Sequence, residues 1–343
     1  MYSFKNDYSE GAHPRLLEAL GTCNFEQAEG YGLDLHTQAA VAVLKEKLQN
    51  DEVQIHFLSG GTQTNLTALA AFLRPHEAAV AAQSGHIFVH ETGAIEATGH
   101  KVLSVSSPGG KVSPAAVEAM VLSHGDEHMV KPRLLYLSQP TEIGTLYSAS
   151  ELQELKKLCE RLDLYLYVDG ARLGSALCAP GNDVDLPVLC RLTDAFYIGG
   201  TKNGALLGEA LVLVKEELKK DFRYQMKQKG ALLAKGQVLG VQFQELFRDG
   251  LYFELAQRAN TLAARLRQAV AEAGYSLLAP TVTNQVFPIL PNSVIAKLEE
   301  EFSFYVWEAV DASHSAIRLV TSWATDEAAV DAFATALKAG ASR

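Results

Sequence analysis

This chain of 343 residues has few cysteines, no basic tract and no long apolar run. Its net charge of −10 argues against nucleic acid or an anionic membrane as a partner. No apolar run approaches the roughly 18–20 residues of a membrane span, and the start, MYSFKNDYSEGAHPR, lacks an apolar core of signal-peptide length. The four cysteines show neither CxxC nor zinc-binding spacing, which favours reduced thiols in a cytoplasmic protein.

The composition, with 48% hydrophobic and 20% charged residues, is typical of a soluble globular protein. A chain of this length can bury a large core, and two domains are the expected number. Near-continuous apolar runs separated by helical patterns indicate a mainly parallel sheet that is covered on both faces. The predicted strands are VQIHFL (53–58), AAVAA (78–82), KVLSV (101–105), LLYLS (134–138), LYLYV (164–168), AFYIG (195–199) and ALVLV (210–214).

The pattern changes after Lys215, where a long helical region is followed by short strands and a terminal helix. We therefore expect an α/β large domain followed by a smaller α+β domain. The irregular N-terminal residues are expected to pack across another element or another subunit. The predicted parts are an N-terminal arm (1–30), a large domain (31–250) and a small domain (251–343).

Two residues at predicted strand ends suit pyridoxal phosphate chemistry. Asp169 follows the LYLYV run, and Lys202 lies in a glycine-rich turn after AFYIG. An acid can keep the pyridine nitrogen of this cofactor protonated, and a lysine can form the Schiff base. In α/β sheets, ligands collect outside the carboxyl ends of strands. The alternatives are a helix cap for Asp169 and a solvated loop lysine for Lys202.

The segment SGGTQTN (59–65) is a candidate phosphate site because it follows a strand and opens a helix. Gly60 and Gly61 allow close backbone approach, the amides at the helix start face an anion, and Thr62 adds a hydroxyl. The segment has neither the lysine of a P-loop nor a GxGxxG pattern, so a monophosphate fits better than a dinucleotide. The alternative is an ordinary turn in which Thr62 is a cap.

The histidines of QSGHIFVHETG (83–93) are candidates for contact with a flat cofactor ring. His86 lies where a loop leaves a strand, a suitable place for an imidazole to stack. His86 and His90 form an i,i+4 pair without a nearby third ligand, so we expect no metal site.

Arg172 in DGAR and Arg318 in SAIRLVTSW are candidates for binding a carboxylate. A guanidinium grips a carboxylate with two parallel charge-assisted bonds, as an amino-acid substrate would require. Arg318 lies within an apolar run, where an unpartnered arginine is rare. An internal salt bridge is the alternative for each arginine.

Taken together, these segments resemble the threonine aldolases of the β-eliminating lyase group, which share the aspartate-aminotransferase-like fold. The resemblance extends over nearly the whole chain and depends on the order and spacing of the motifs. They are FKNDYSEGAHP, YGLD, SGGTQTN, GHIFVHETGAIEATGHK, LSQPTEIGT, VDGAR, GGTKNG and IRLVTSWAT.

The resemblance implies a role for each candidate residue. Lys202 corresponds to the Schiff-base lysine, Asp169 to the partner of the pyridine nitrogen, and His86 to the histidine stacked on the ring. The phosphate would be held by Gly60, Gly61 and Thr62, with Thr201 and Arg172 as further cofactor contacts. Arg172 and Arg318 correspond to the carboxylate binders, and Asn6 occupies a position near that carboxylate. Tyr31 corresponds to a tyrosine that reaches a neighbouring subunit's site.

The chain departs from many threonine aldolases at SQPTEIG (138–144), where they carry a histidine near the substrate hydroxyl. The base that accepts the hydroxyl proton is then His86, directly or through water, with Glu91 and Glu142 as alternatives. The resemblance also implies a homodimer or homotetramer with shared active sites. In such an assembly, Lys229 or Lys235 would reach a neighbour's phosphate.

The activity implied by the resemblance is cleavage of L-threonine or L-allo-threonine, which are β-hydroxy-α-amino acids, to glycine and acetaldehyde. One alternative uses the same cofactor for β-elimination from an amino acid. Another is a catalytically silent relative that binds the cofactor or a protein partner.

Overall fold

The structure is a computed structural model that describes residues 1–341. Most of the strands belong to one central sheet, and the rest form smaller sheets. In chain order the strands are β1 (Tyr2–Ser3), β2 (Gln54–Leu58), β3 (Glu77–Ala82), β4 (Val102–Val105), β5 (Lys131–Ser138), β6 (Tyr165–Asp169), β7 (Ala195–Gly199), β8 (Glu209–Leu213), β9 (Ser276–Leu277), β10 (Gln285–Val286), β11 (Pro288–Pro291), β12 (Phe302–Ser303), β13 (Tyr305–Ala309) and β14 (His314–Val320).

Helices cover both faces of the central sheet and continue into the C-terminal part of the chain. They are α1 (Pro14–Thr22), α2 (Leu35–Leu48), α3 (Gly61–Phe72), α4 (His86–Val89), α5 (Pro114–Leu122), α6 (Ala149–Arg161), α7 (Leu173–Leu177), α8 (Leu186–Leu192), α9 (Glu216–Lys219), α10 (Phe222–Gln228), α11 (Gln237–Arg248), α12 (Leu251–Glu272), α13 (Asn292–Leu298) and α14 (Glu327–Ala341).

The central sheet has seven strands in the order β2-β8-β7-β6-β5-β3-β4. Only β8 runs against its neighbours, so the sheet is mainly parallel, as the apolar strand runs predict. Every residue of β3, β6, β7 and β8 is buried, as expected for strands covered on both faces. The carboxyl ends of β2, β3, β5, β6 and β7 and the amino end of β8 therefore meet at one edge of the sheet.

A second, smaller sheet follows in the C-terminal part of the chain. In it, β10 and β11 pair along one edge of β14, β13 pairs along the other edge, and β9 pairs with β11. Its strands pack with α13, α14 and the second half of α12 around a core that includes Leu266, Leu319 and Phe333. Phe4 also belongs to this core, and β1 pairs in parallel with β12. The α/β fold with a smaller α+β part is therefore confirmed, while the domain boundaries remain a prediction.

The helical region predicted over 216–273 consists of four helices. Left-handed backbone at Asp221 (φ 57°), Gly230 (φ 70°) and Gly250 (φ 81°) separates them. Such conformations cannot continue an α-helix, and glycine is the residue that adopts them at least cost. Among the helices of residues 1–341, none has both the length and the apolar character needed to cross a membrane.

Candidate active site

The predicted site residues lie where strands end at the shared edge of the central sheet. Ser138 at the end of β5 pairs with Asp169 at the end of β6. Gly199 at the end of β7 pairs with Glu209 at the start of β8, and Glu209 also pairs with Leu58 of β2. The loops that leave these strands surround a cavity of about 320 Å³. The cavity is lined by Gly60, Gly61, Thr62, His86, Asp169, Arg172, Thr201 and Lys202 among others, so most of the predicted site residues come together.

Asp169 is a buried carboxylate that accepts hydrogen bonds at both oxygens. The hydroxyls of Tyr136 and Tyr197 each donate at 2.5 Å, Asn65 Nδ2 donates at 3.0 Å, and the Ala171 amide donates at 2.9 Å. Burial opposes its ionisation, but the charge of His86 and the tyrosine hydrogen bonds keep its pKa below the usual value. Asp169 is thus an anion at the wall of the cavity, held by neutral donors, and suits a protonated ring nitrogen.

His86 is oriented by a buried network that also reaches Asp169. Glu91 Oε1 lies 2.7 Å from His86 Nδ1 and accepts a hydrogen bond from Asn65 Nδ2, also at 2.7 Å. The Tyr167 hydroxyl donates to Asn65 Oδ1 at 3.1 Å. Because Nδ1 is engaged, Nε2 is the ring nitrogen left for the cavity.

Lys202 lies in the turn between β7 and β8. The amides of Gly200 and Thr201 both donate to the Gly208 carbonyl, at 3.0 and 3.1 Å, and close this turn. Burial and the charge of Arg172 lower the pKa of Lys202. A lower pKa increases the neutral fraction of the ε-amine, which is the form that attacks a carbonyl carbon.

The predicted phosphate site is the start of α3. Gly60 precedes the helix, and Gly61 and Thr62 are its first residues. A Cβ at Gly61 would lie 3.0 Å from the Tyr197 hydroxyl, so glycine allows the helix start to approach β7 closely. Thr201 lines the same cavity from the Lys202 turn. The amides at this helix start can hold a phosphate, so the cavity offers a contact to each part of pyridoxal phosphate.

Arg172 lines this cavity, and Arg318 lines an adjoining cavity that Arg172, His86 and Lys202 also line. Arg172 Nε and Nη2 donate to Asp7 at 2.7 and 3.1 Å, so one edge of its guanidinium is occupied by the chain itself. Arg318 lies between Tyr305 and Trp307, 5.3 and 5.2 Å from the two ring centroids. Arg318 Nε is buried without a hydrogen-bond partner among the described residues. Arg318 therefore has donor capacity for an anionic ligand.

Two predicted substrate residues, Asn6 and Tyr31, line neither of these two cavities. Asn6 Oδ1 accepts hydrogen bonds from the Tyr8 amide and the Ser9 hydroxyl, at 3.0 and 2.9 Å. Tyr31 packs under Lys227, whose Nζ lies 4.4 Å from the ring centroid. From the N-terminal segment, Tyr8 reaches the cavity, with its ring centroid 5.8 Å from Lys202 Nζ.

Glu142 lies at the cavity, in the loop SQPTEIG (138–144). Its Oε1 accepts hydrogen bonds from the Ser138 hydroxyl at 2.6 Å and from the His86 amide at 3.0 Å. Burial raises the pKa of Glu142, against the opposing effect of the Ser138 hydrogen bond. Its carboxylate therefore joins this loop to the start of α4.

Several residues of the site were not predicted from the sequence. Tyr136 and Tyr197 lie within apolar strand runs, where a tyrosine is unremarkable, and Asn65 lies within a helix. Asp7 is far from Arg172 in the chain. Two tyrosines directed to one carboxylate could have been inferred only from the strand register. Within residues 1–341 there is no group of three His, Cys, Asp or Glu side chains arranged to hold a metal ion.

Comparison with known proteins identifies the family to which the chain belongs. Residues 11–292 match the family described as Beta-eliminating lyase. A low specificity L-threonine aldolase from Pseudomonas aeruginosa is 31% identical, over 94% of this chain and 93% of that protein. The structure of a Leishmania major threonine aldolase is 47% identical and covers 99% of both chains with a TM-score of 0.97. Aspartate aminotransferase from Thermus thermophilus, at 15% identity, shares the fold with a TM-score of 0.72 over 99% of this chain and 91% of that one. The aspartate-aminotransferase-like fold is thus confirmed, and the chain belongs to the β-eliminating lyase family.

Proposed function

We propose that this protein is a pyridoxal-phosphate-dependent aldehyde lyase that cleaves L-threonine and L-allo-threonine to glycine and acetaldehyde. The observation that carries the proposal is that an anionic Asp169 and a Lys202 amine of lowered pKa line one cavity. The names of the relatives, which are threonine aldolases from Pseudomonas aeruginosa and Leishmania major, support the choice of substrate.

When bound, pyridoxal phosphate would supply a protonated ring that accepts the electron pair of the breaking Cα–Cβ bond. Lys202 would hold its aldehyde carbon, Asp169 its ring nitrogen, and the start of α3 with Thr201 its phosphate. His86 lies on the cavity wall beside Asp169, where its imidazole can pack on the ring. These assignments depend on the chemistry of the side chains around the cavity.

The substrate carboxylate is assigned to Arg318, with the free edge of Arg172 beside it. The carboxylate must be fixed because the bond that breaks is the one held perpendicular to the cofactor ring. Arg318 has an unpaired buried Nε and two aromatic rings that restrict its position. Asp7 binds Nε and Nη2 of Arg172 and holds its guanidinium in place. Arg172 therefore contributes positive charge and a rigid part of the cavity wall.

We infer that the active sites are shared between copies of the chain in a homodimer or homotetramer. Tyr31, a predicted site residue, lies outside its own chain's Lys202 cavity and is 40% exposed. Phe25 and Leu35 nearby in the chain are 94% and 79% exposed, which leaves apolar surface for a second copy to cover.

We also propose a reducing, cytoplasmic setting, which is supported by the free state of Cys23, Cys159, Cys178 and Cys190.

Product analysis tests the proposed reaction. The purified protein, supplied with pyridoxal phosphate, is incubated separately with L-threonine, L-allo-threonine, L-serine and L-cysteine. We expect glycine and acetaldehyde in equal amounts from the first two, and no product from a Lys202→Ala variant. Pyruvate and ammonia from serine or cysteine, without acetaldehyde from threonine, would instead identify a β-eliminating amino-acid lyase.

A further inference from the structure

Asn65 is a buried amide that joins two carboxylates of the site. It lies in α3 and is 1% exposed. Its Nδ2 lies 2.7 Å from Glu91 Oε1 and 3.0 Å from Asp169 Oδ2. The amide nitrogen of an asparagine carries two hydrogens, so it can donate one to each carboxylate. Asn65 therefore bridges Glu91, which is the partner of His86, and Asp169.

The orientation of this amide is fixed by a third contact. The Tyr167 hydroxyl donates to Asn65 Oδ1 at 3.1 Å. If the oxygen and nitrogen of the amide were exchanged, the carbonyl oxygen would face two carboxylate oxygens, and acceptors would meet acceptors. The donor side of Asn65 therefore faces Glu91 and Asp169.

The two carboxylates depend on Asn65 to different extents. Asp169 accepts three further hydrogen bonds, from two tyrosine hydroxyls and a backbone amide. The Glu91 side chain is fully buried, and its Oε1 has His86 Nδ1 as its other partner, at 2.7 Å. Its Oε2 has no hydrogen-bond partner among the described residues. A buried carboxylate with few donors beside a second carboxylate is unfavourable, so Glu91 is the one that needs the hydrogen bond from Asn65.

The titratable groups that face Glu91 include one possible counter-ion. Tyr136 of β5 and Tyr167 of β6 lie close to it, and burial raises the pKa of both tyrosines well above its usual value, so both stay neutral. Asp169 carries a charge of the same sign as Glu91. The imidazole of His86, when protonated, is the group of opposite charge in contact with Glu91.

We infer that Asn65 is a positioning residue that keeps Glu91 ionised beside Asp169, so that Glu91 accepts the Nδ1 hydrogen of His86 and leaves Nε2 for the cavity. Without the two donors of Asn65, a proton from solvent forms an O–H bond on Glu91, and the repulsion between the carboxylates is relieved. A neutral carboxyl is a weaker acceptor than a carboxylate, so the ring of His86 is held less firmly. Asn65 acts on the reaction only through its neighbours, and the inference therefore rests on the proposed role of His86.

The test is infrared difference spectroscopy of the full chain without cofactor, with each variant measured against the unmodified protein. Asn65→Leu keeps a side chain of similar size but removes both donors. At about pH 6, roughly two units above the ordinary pKa of a glutamate, we expect the carbonyl band of one protonated carboxyl group per chain to appear. This band should shift when the glutamate carboxyls carry a heavy carbon isotope. It should be absent when Asn65→Leu is combined with Glu91→Gln.

Asn260→Leu is the matched control, because Asn260 is a buried helical asparagine whose amide hydrogen bonds go to Ser175. It lies in α12 and is 2% exposed. Its Oδ1 accepts from the Ser175 hydroxyl at 2.5 Å, and its Nδ2 donates to the Ser175 carbonyl at 2.8 Å. This replacement also removes a buried amide from a helix, but it should add no carboxyl band.

Glu91→Gln, measured against the unmodified protein, gives a second test that does not require Asn65→Leu to fold. We expect this variant to lose the bands of one ionised carboxylate. Loss of a protonated carboxyl band instead would show that Glu91 is neutral in the unmodified protein and would overturn the inference.

The absence of a new band in folded Asn65→Leu would also overturn the inference. So would a band that appears equally in Asn260→Leu, or one that persists after Glu91→Gln is added. Failure of the proposed function would be distinguishable, because it would change the products formed from threonine, whereas these spectra are recorded without cofactor or substrate.

Discussion

Each reactive residue of the site is fixed by a neighbour that sets its charge or its direction. Glu91 engages Nδ1 of His86, and two tyrosine hydroxyls with Asn65 hold Asp169 as an anion. Asp7 accepts a hydrogen bond from Arg172 Nε and so fixes the direction of the guanidinium. The result is a set of side chains that need little reorganisation when substrate binds, which is the main source of electrostatic catalysis in enclosed sites.

The base that accepts the substrate hydroxyl proton gives a prediction at this scale. We expect His86→Asn to slow aldehyde release by roughly 100-fold, since general-base catalysis contributes about 10²–10⁴. Glu142→Gln should slow it by less than about threefold, because Glu142 Oε1 is already occupied by the Ser138 hydroxyl and the His86 amide. The measurement is pre-steady-state aldehyde release with the cofactor saturating, so that weaker stacking by His86 does not limit the rate. A large effect confined to Glu142→Gln would assign the base to the SQPTEIG loop.

At the scale of elements, strand ends and one helix start determine where the chemistry lies. Because β8 is antiparallel to its neighbours, its first residue, and not its last, lies at the edge that holds Lys202. The start of α3 approaches β7 so closely that Gly61 and the Tyr197 hydroxyl leave no room for a further carbon atom without displacement. Tyr197 therefore links the start of α3, which we propose as the phosphate site, to Asp169.

This link predicts that Gly61→Ala acts through the Tyr197 hydroxyl. The new Cβ would lie 3.0 Å from that oxygen and displace it from Asp169. We expect Gly61→Ala to weaken pyridoxal phosphate binding by roughly tenfold, the loss of about 1.4 kcal/mol that one hydrogen bond to a charged group provides. The readout is the dissociation constant from quenching of protein fluorescence.

A double-mutant cycle separates this route from a direct effect on the phosphate. Tyr197→Phe removes both the hydrogen bond and the steric conflict, so adding Gly61→Ala to it should cost almost nothing further. Additive losses in the double variant would show that the added methyl group acts on the phosphate itself and that the two sites are independent.

At the scale of the whole molecule, the sequence predicts the strands of the central sheet but not all the contacts of the site. The seven apolar runs predict the seven strands of the central sheet because burial on both faces leaves few polar positions. Asp169 and Lys202 stand out since each follows such a run. Asp7 and Glu209 could not be predicted, because an N-terminal segment brings Asp7 to Arg172 and the direction of β8 brings Glu209 to the turn that carries Lys202. Neither relation has a local signal in the sequence.

The breaks in the helical region 216–273 show the same limit. An apolar period predicts helix, but it does not mark a left-handed residue such as Asp221, which is not a glycine. Asn6 and Tyr31 were assigned by resemblance alone, and their roles remain predictions that concern the substrate and a second copy of the chain.

We propose that the cavity at the sheet edge holds pyridoxal phosphate through Lys202. The most direct measurement is borohydride reduction of the protein with bound cofactor, followed by digestion and mass spectrometry of the labelled peptide. We expect one phosphopyridoxyl group per chain, on Lys202, and none in Lys202→Ala. Labelling at Lys229, Lys235 or another lysine, with Lys202 unmodified, would contradict it.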